Sequence, residues 1–463
     1  MTTAPWYDQR RVAQKSSVVL AKWLQQRPGA QGRAGLTPIT LLQAKPRQQR
    51  NYAAAQVNRL TQGWSTVSAS ANSDIHRSLD SVRARSRKLA NDDEYVKKWL
   101  AMVTTNVVGP NGFRFQARVY DKPGMPDTMA NDAIEAAWAK FGKKGVADVT
   151  GRQTLTGLCQ LGIKAAARDG EVLAQIVRGK SAANPFGIAI QLLDIDRLDT
   201  ALNKPAEGGR NAIRMGVEIN AYGRPVAYHL KTAHPGDLYQ TTSGIQGNTH
   251  VRVVAEDIIH EFMADRPEQV RGMPWAHAAM MRLNNLGGYE EAAVIAARVG
   301  ASKMGFFTTP DGQAEVVSTG TDDGTADGGL MMEADAGTFQ SLPEGVQFQP
   351  FNPDYPTAMY ADFVKANLRG IASGLGVAYH ALANDLEGVS FSSIRSGTLE
   401  ERDAWMLIQE WFAGSFLERI FSEWIAAALA MGQIALPNGS TLPITKLDKF
   451  SAHTWQGRRW EWV

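Results

Sequence analysis

From Ser81 onward the chain switches repeatedly between two hydrophobic periods. After Asn91-Asp92-Asp93-Glu94, apolar residues recur at Val96, Trp99, Leu100 and Val103. That spacing marks one helix face, with the acids supplying a cap and first turn. The helix is expected to stop near Asn106, where VVGPNG reads as a turn. Phe113, Phe115, Ala117 and Val119 then alternate, which predicts a half-buried strand. Helical spacing returns over Ala133–Phe141 and Thr154–Arg168, and Asp169-Gly170 turns the chain into the strand EVLAQIV. Residues 188–230 read as sheet: IAIQLLDI is one strand and IRMGVEIN a second, with Ile213, Met215, Val217 and Ile219 alternating. Tyr222-Gly223 then leads into PVAYHL. Helices mixed with antiparallel strands make residues 75–265 α+β.

The C-terminal half is more helical. After Pro274 the pattern predicts a helix with Met280, Leu283, Ile295 and Val299 apolar, bent or interrupted at Gly287-Gly288. Residues 308–338, rich in Thr, Asp and Gly, read as an exposed loop or small projecting module. Beyond Pro353 and Pro356, the stripe Tyr360, Phe363, Val364, Leu368 and Ile371 predicts a helix over Thr357–Ser373. A polar connector, Ala383–Gly397, separates it from a second helix, with Thr398 as cap and Glu401 closing a capping box. That helix runs past Met431, over 30 residues and about 50 Å.

Composition narrows the class. The 463 residues are too many for one compact core, and 44% apolar content is globular. The single cysteine, Cys159, excludes an internal disulfide scaffold, and its apolar helical setting makes it a small buried hydrophobe. No apolar signal core follows the basic N-terminus, and no segment reads as a bilayer span. The net charge of +3 is uneven: residues 1–60 hold ten Lys or Arg against Asp8 alone, leaving −6 for the remainder. A basic arm on a mildly acidic body suits nucleic acid or an acidic protein surface, and equally a solubilising tail.

Catalytic signatures are weak. Phosphate-loop, dinucleotide, zinc-protease, nucleophile-elbow and paired-cysteine motifs do not occur. Asp194, Asp196 and Asp199 in LLDIDRLD offer carboxylates to a divalent metal, with Asp194 and Asp196 on one side of a strand; a strand running into a turn is the simpler reading. His229 and His234 lack a third clear ligand, and His260-Glu261 reads as a local polar pair. Ser390, Ser392, Ser393 and Arg395 lack an adjacent general base. The basic run Arg83, Arg85, Arg87 and Lys88 could grip phosphate. Spacing of two spreads it around a helix, which suits a solvated or intersubunit ion-pair face better.

Several collinear stretches resemble the lambda-type family of tailed-phage portal (head-tail connector) proteins. They are SVRARSRKLANDDEYVKKWLAMVTTNVVGPNGF (81–113), ARDGEVLAQIV (167–177), QLLDIDRLD (191–199), IRMGVEINAYGRPVAYHL (213–230), VVAEDIIHEFMADRPEQVRGMPW (253–275) and GIASGLGVAYHALANDLEGVSFSSIRSG (370–397). The resemblance implies an α+β portal fold assembled as a ring of twelve. It divides the chain into a basic arm (1–60), wing (61–270), first stem helix (271–300), clip (301–352), second stem helix (353–382), tunnel loop (383–397) and long wing helix with C-terminal segment (398–463). A further helical crown is expected to be absent or reduced.

The implied role is a DNA channel at one capsid vertex, in the virion and earlier in the host cytoplasm. The implied partners are further copies of itself, double-stranded DNA without sequence preference, the large terminase, neck and head-completion proteins, and major capsid and scaffolding proteins. No membrane, metal, cofactor or catalytic residue is implied. Duplex DNA carries a charge every ~1.7 Å, so a wall lined only with Lys and Arg would hold it too tightly to slide. The channel-facing candidates are therefore mixed: Lys365, Arg369, Asn384, Asp385, Glu387, Ser390, Ser392, Ser393 and Arg395. The competing expectation is a non-channel capsid or neck scaffold that binds DNA through the arm.

Overall fold

The computed structural model describes residues 66–237, 250–301, 305–308, 347–350, 359–387 and 390–460, with positions 59 and 63. The basic arm before residue 59 and most of the 308–338 stretch lie outside the described residues. Contacts divide the chain into Met1–Ser68 and Ala69–Val463. The first unit has few described residues, and everything below concerns the second.

Local chemistry sets most helix starts. Ser70 accepts from the Ser73 N–H to open Ala71–Asp92, and Asp93 accepts from Val96 N–H to open Glu94–Val107. The second of these helices buries the anticipated stripe Val96, Trp99, Leu100 and Val103, extended by Val107. Thr154 caps Leu155–Asp169, which stops at Gly170 in the left-handed region, φ 90°. The helix expected from Ala133 starts earlier, over Thr128–Phe141, because Asp127 caps it.

Three antiparallel strands form one sheet, in the order Ile258–Glu261, Val172–Arg178, Ile188–Leu193. A second sheet orders Ala212–Arg214, Val217–Ile219, Pro225–Lys231 and His250–Val254. Here the single strand expected over IRMGVEIN is corrected. Arg214 pairs with Val217 across a two-residue turn in which Met215 and Gly216 have φ of 48° and 84°. Two successive positive φ values match the right-handed twist of a tight hairpin. Met215 tolerates its strained backbone because its N–H donates to Asn203 Oδ1, its carbonyl accepts from Arg271, and its side chain packs on Ile75 and Leu79.

Arg114–Ala117 pairs with His453–Gln456 from the far end of the chain. This closes a core of aromatic rings. Phe115 lies 4.9 Å from Phe421, and Trp138 meets Trp424 edge-on at 4.9 Å.

The long C-terminal helix runs from Phe391 through Phe412, a π turn at Ala413–Leu417, and Glu418–Ala430. Those 40 residues span about 60 Å. Its start corrects the sequence reading. Thr398 is interior and donates its hydroxyl to the Ile394 carbonyl, while Glu401 accepts from Trp405. Spacing of three also occurs inside a helix, where Thr can bond back to a carbonyl four residues earlier. Capping-box spacing therefore does not by itself mark a boundary.

Met280–Ala301 is unbroken, so Gly287-Gly288 does not interrupt it. It lies beside Tyr360–Leu375, with Tyr289 4.7 Å from Phe363. Met280 and Leu283 are buried as expected, but Ile295 is exposed. A Cβ at Gly287 or Gly288 would meet nothing within 4 Å. Gly287→Ala and Gly288→Ala should therefore each stabilise the unassembled chain by about 0.5–1 kcal/mol. A higher urea midpoint with unchanged slope would show this; a lower midpoint would mean the glycines are needed for close packing.

Candidate functional site

The channel-facing candidates that can be placed fall into one tied group and one helical turn. Tyr360–Leu375 ends at Gly376, and the one-turn helix Tyr379–Ala383 follows, with Asn384 at φ 55° closing it. The next residue, Asp385, gathers three donors. Its Oδ2 accepts from Tyr379 Oη at 2.7 Å and pairs with Lys365 Nζ at 3.0 Å, while Oδ1 accepts from Glu387 N–H at 3.0 Å. The Tyr379 hydroxyl and the Lys365 ammonium hold the Asp385 carboxyl down at about 2. Burial and the bond to Asp385 push the Tyr379 phenol up to about 12. Lys365 and Arg369 also lie over the Tyr379 ring, at 6.0 and 5.6 Å.

The helix Glu94–Val107 joins this group from the other side. Lys98 donates to Asn384 Oδ1, and Trp99 Nε1 donates to the Leu375 carbonyl at 3.2 Å. Sequence reasoning missed Tyr379 and Lys98. Neither carries a local signal, and Lys98 is 286 residues from its partner.

The Glu387 side chain is exposed, and of the remaining candidates Ser390 is exposed in the connector. Ser392, Ser393 and Arg395 are not in a loop, because the helix has already begun at Phe391.

The basic run does not share one surface. Arg85 and Lys88 are exposed, whereas Arg83 is buried and Arg87 half-buried. Arg83 pairs with Glu171 at 2.8 Å and Asp196 at 3.2 Å; Arg87 pairs with Asp169, Asp194 and Asp196 at 2.6–2.9 Å. Arg83 occupies the inward face set by Ile75, Leu79 and Ser86, so it is committed to the interior.

Glu171 is the centre of that interior. It is fully buried and binds Arg83, Arg271 Nε at 2.8 Å and His260. Arg271 also donates to the Leu198 and Met215 carbonyls. Burial alone would raise the Glu171 carboxyl, but Arg271, His260 and Arg83 together hold it at about 2. Burial outweighs the carboxylate at His260 and lowers its imidazole, which favours the neutral ring. The expected His260-Glu261 pair is thereby corrected: neighbours on a strand point to opposite faces, and Glu261, pushed up to about 7 by burial, lies on the other side.

Asp194, Asp196 and His234 approach one another closely enough to suggest a metal site. Their arrangement does not fit one. Asp194, just past the strand, caps the short turn Ile195–Arg197 by accepting from Asp196 N–H, and Arg87 already bridges both carboxylates. His234 Nδ1 accepts from Gly236 N–H, and its Nε2 faces the two carboxylates at 3.7 Å. His229 is held by Glu218. Cys159 is buried, and its thiol is pushed up to about 12, far from a reactive thiolate.

Comparison with known proteins gives a consistent answer. A family model described as "Phage portal protein, lambda family" matches residues 57–409. A probable portal protein of Halomonas phage phiHAP-1 is 34% identical over 437 residues, 93% of this chain and 82% of the relative. Portal protein B of Escherichia phage lambda is 22% identical, covering 81% and 74% of the two chains. A chain from the solved virion of a native gene transfer agent particle aligns over 76% of this chain and 82% of its own, at 14% identity and TM-score 0.41, too loose a likeness to carry weight. With a family model spanning most of its length, this chain belongs to the lambda family of phage portal proteins.

Proposed function

We infer that the chain assembles into a closed ring of twelve around a DNA channel at one capsid vertex. In this reading it docks the large terminase during packaging and the neck proteins afterwards, contacts major capsid and scaffolding proteins, and conducts DNA during ejection. Residues 61–270 and 398–463 would form the wing, 271–300 and 353–382 the stem, 301–352 the clip, and 383–397 the tunnel loop together with the first turns of the long helix, which begins at Phe391. ATP hydrolysis would belong to the terminase.

One observation carries the assembly. Met280–Ala301 buries Met280, Leu283, Leu286 and Ala293 within its own chain, yet Met281, Val294 and Ile295 are more than half exposed. Met359 and Phe363, at and near the start of the adjoining helix, are exposed as well. Large apolar side chains left exposed on a helix that already buries its inner face mark a surface for a partner, and neighbouring copies in a ring would cover them. Among the described residues no helix is long and apolar enough to cross a membrane.

Electron-microscope class averages of the purified protein should show a ring with an opening over ~20 Å, enough for duplex DNA. The double variant Val294→Asp/Ile295→Asp should leave mainly monomer by native mass spectrometry while keeping its circular dichroism. Rings that persist in this variant would remove the stem from the assembly. A wild-type monomer at every concentration would remove the ring itself.

A further inference from the structure

We propose that Asp385 is a positioning residue that fixes where the connector leaves the stem and withholds the Lys365 ammonium from DNA. This deepens the channel reading above and rests on it. The geometry makes Asp385 a junction. Lys365 lies on the helix Tyr360–Leu375, Tyr379 on the following short helix, and Glu387 in the connector; all three converge on one carboxylate within 2.7–3.0 Å. Asn384, immediately before, is held by Lys98 from the helix Glu94–Val107. Asn384, Asp385 and the Glu387 amide, near the start of the connector, are therefore held by residues of separate helices.

The electrostatic consequence is specific. Lys365 and Arg369 are the two basic candidates on the stem helix. Lys365 is neutralised by a carboxylate at 3.0 Å, and Arg369 is drawn over the Tyr379 ring that the same carboxylate orients. Each copy would then present a wall with little net positive charge, as a sliding duplex requires. Loss of the carboxylate would free Lys365 to contact phosphate, and each contact formed releases counterions.

The test uses the assembled full-length protein. Binding of a short DNA duplex is measured across a salt series for wild type, Asp385→Asn, Lys365→Met and the double variant. Hydrogen exchange is followed at the amides of residues 385–387. Asp385→Asn should tighten binding severalfold at low salt and steepen the log–log salt slope by about 0.9 per copy that gains a phosphate contact. Lys365→Met should be nearly silent in the wild-type background and should cancel the gain in the double variant. Exchange at Glu387 should accelerate in Asp385→Asn.

An unchanged slope in Asp385→Asn, or a gain that survives in the double variant, overturns the proposal. A merely structural role would loosen exchange without moving the slope, and that result overturns it too. Absence of DNA binding by every protein, wild type included, overturns the channel reading, and the withheld-charge role falls with it.

Discussion

Glu171→Ala is expected to destabilise the chain by about 3–5 kcal/mol, because it leaves Arg83 and Arg271 as buried cations without their shared carboxylate. Both guanidiniums are almost fully removed from water, at 3% and 0% side-chain exposure. Neither can reach solvent without moving the helix Ala71–Asp92 or the segment around Arg271. The measurement is the urea midpoint of the unassembled chain, or soluble yield if the variant does not accumulate. Glu171→Gln keeps the shape and most acceptors, so it should cost less than Glu171→Ala but more than a surface substitution. A loss below ~1 kcal/mol for Glu171→Ala would mean that water satisfies the cations and that the cluster is not dry.

The same carboxylate predicts a pH dependence. Its folded value of about 2 lies below the ordinary 4.5. The unfolded chain therefore binds a proton first as pH falls. The stability contributed by Glu171 is present above about 4.5 and is lost between there and about 2. Glu171→Gln should flatten that part of the acid-denaturation curve.

What the sequence made legible was local. Asp93 announces its helix because a cap acts within three residues, and the Val96–Val103 stripe announces its buried face because helical spacing puts those side chains on one side. The buried charge cluster was illegible for the opposite reason. Arg83 and Glu171 are 88 residues apart, Glu171 and Arg271 are 100, and a basic run invites an outward reading. A discriminating signal did exist: Ile75, Leu79 and Arg83 fall at successive spacings of four, so that face continues inward through the arginine. The Met215 hairpin was missed because methionine is not a turn residue, and contacts to Asn203 and Arg271 hold it there. The channel candidates were legible as a polar segment, but Tyr379 as the support for Asp385 follows only from the fold.

Gly272→Ala should be about as damaging as Glu171→Ala, for a steric reason. A Cβ on Gly272 would stand 2.2 Å from the Gly170 carbonyl oxygen, 2.6 Å from Phe262 Cβ and 2.9 Å from Glu171 Cγ. A Cβ on Gly170 would stand 2.4 Å from the Met273 carbonyl carbon, at a φ of 90° that L side chains resist. Two backbone segments thus cross with no side chain between them, and Glu171 and Arg271 meet beside that crossing. Backbone cannot swing aside as a lysine end can, so each substitution should cost about 3 kcal/mol or more. That is opposite in sign to the effect expected at Gly287, where the space is open. Because both substitutions force the same two segments apart, Gly170→Ala/Gly272→Ala should cost less than the sum of the singles. Additive losses in urea denaturation would mean that the segments yield independently and that the close crossing does not hold the charge cluster in register.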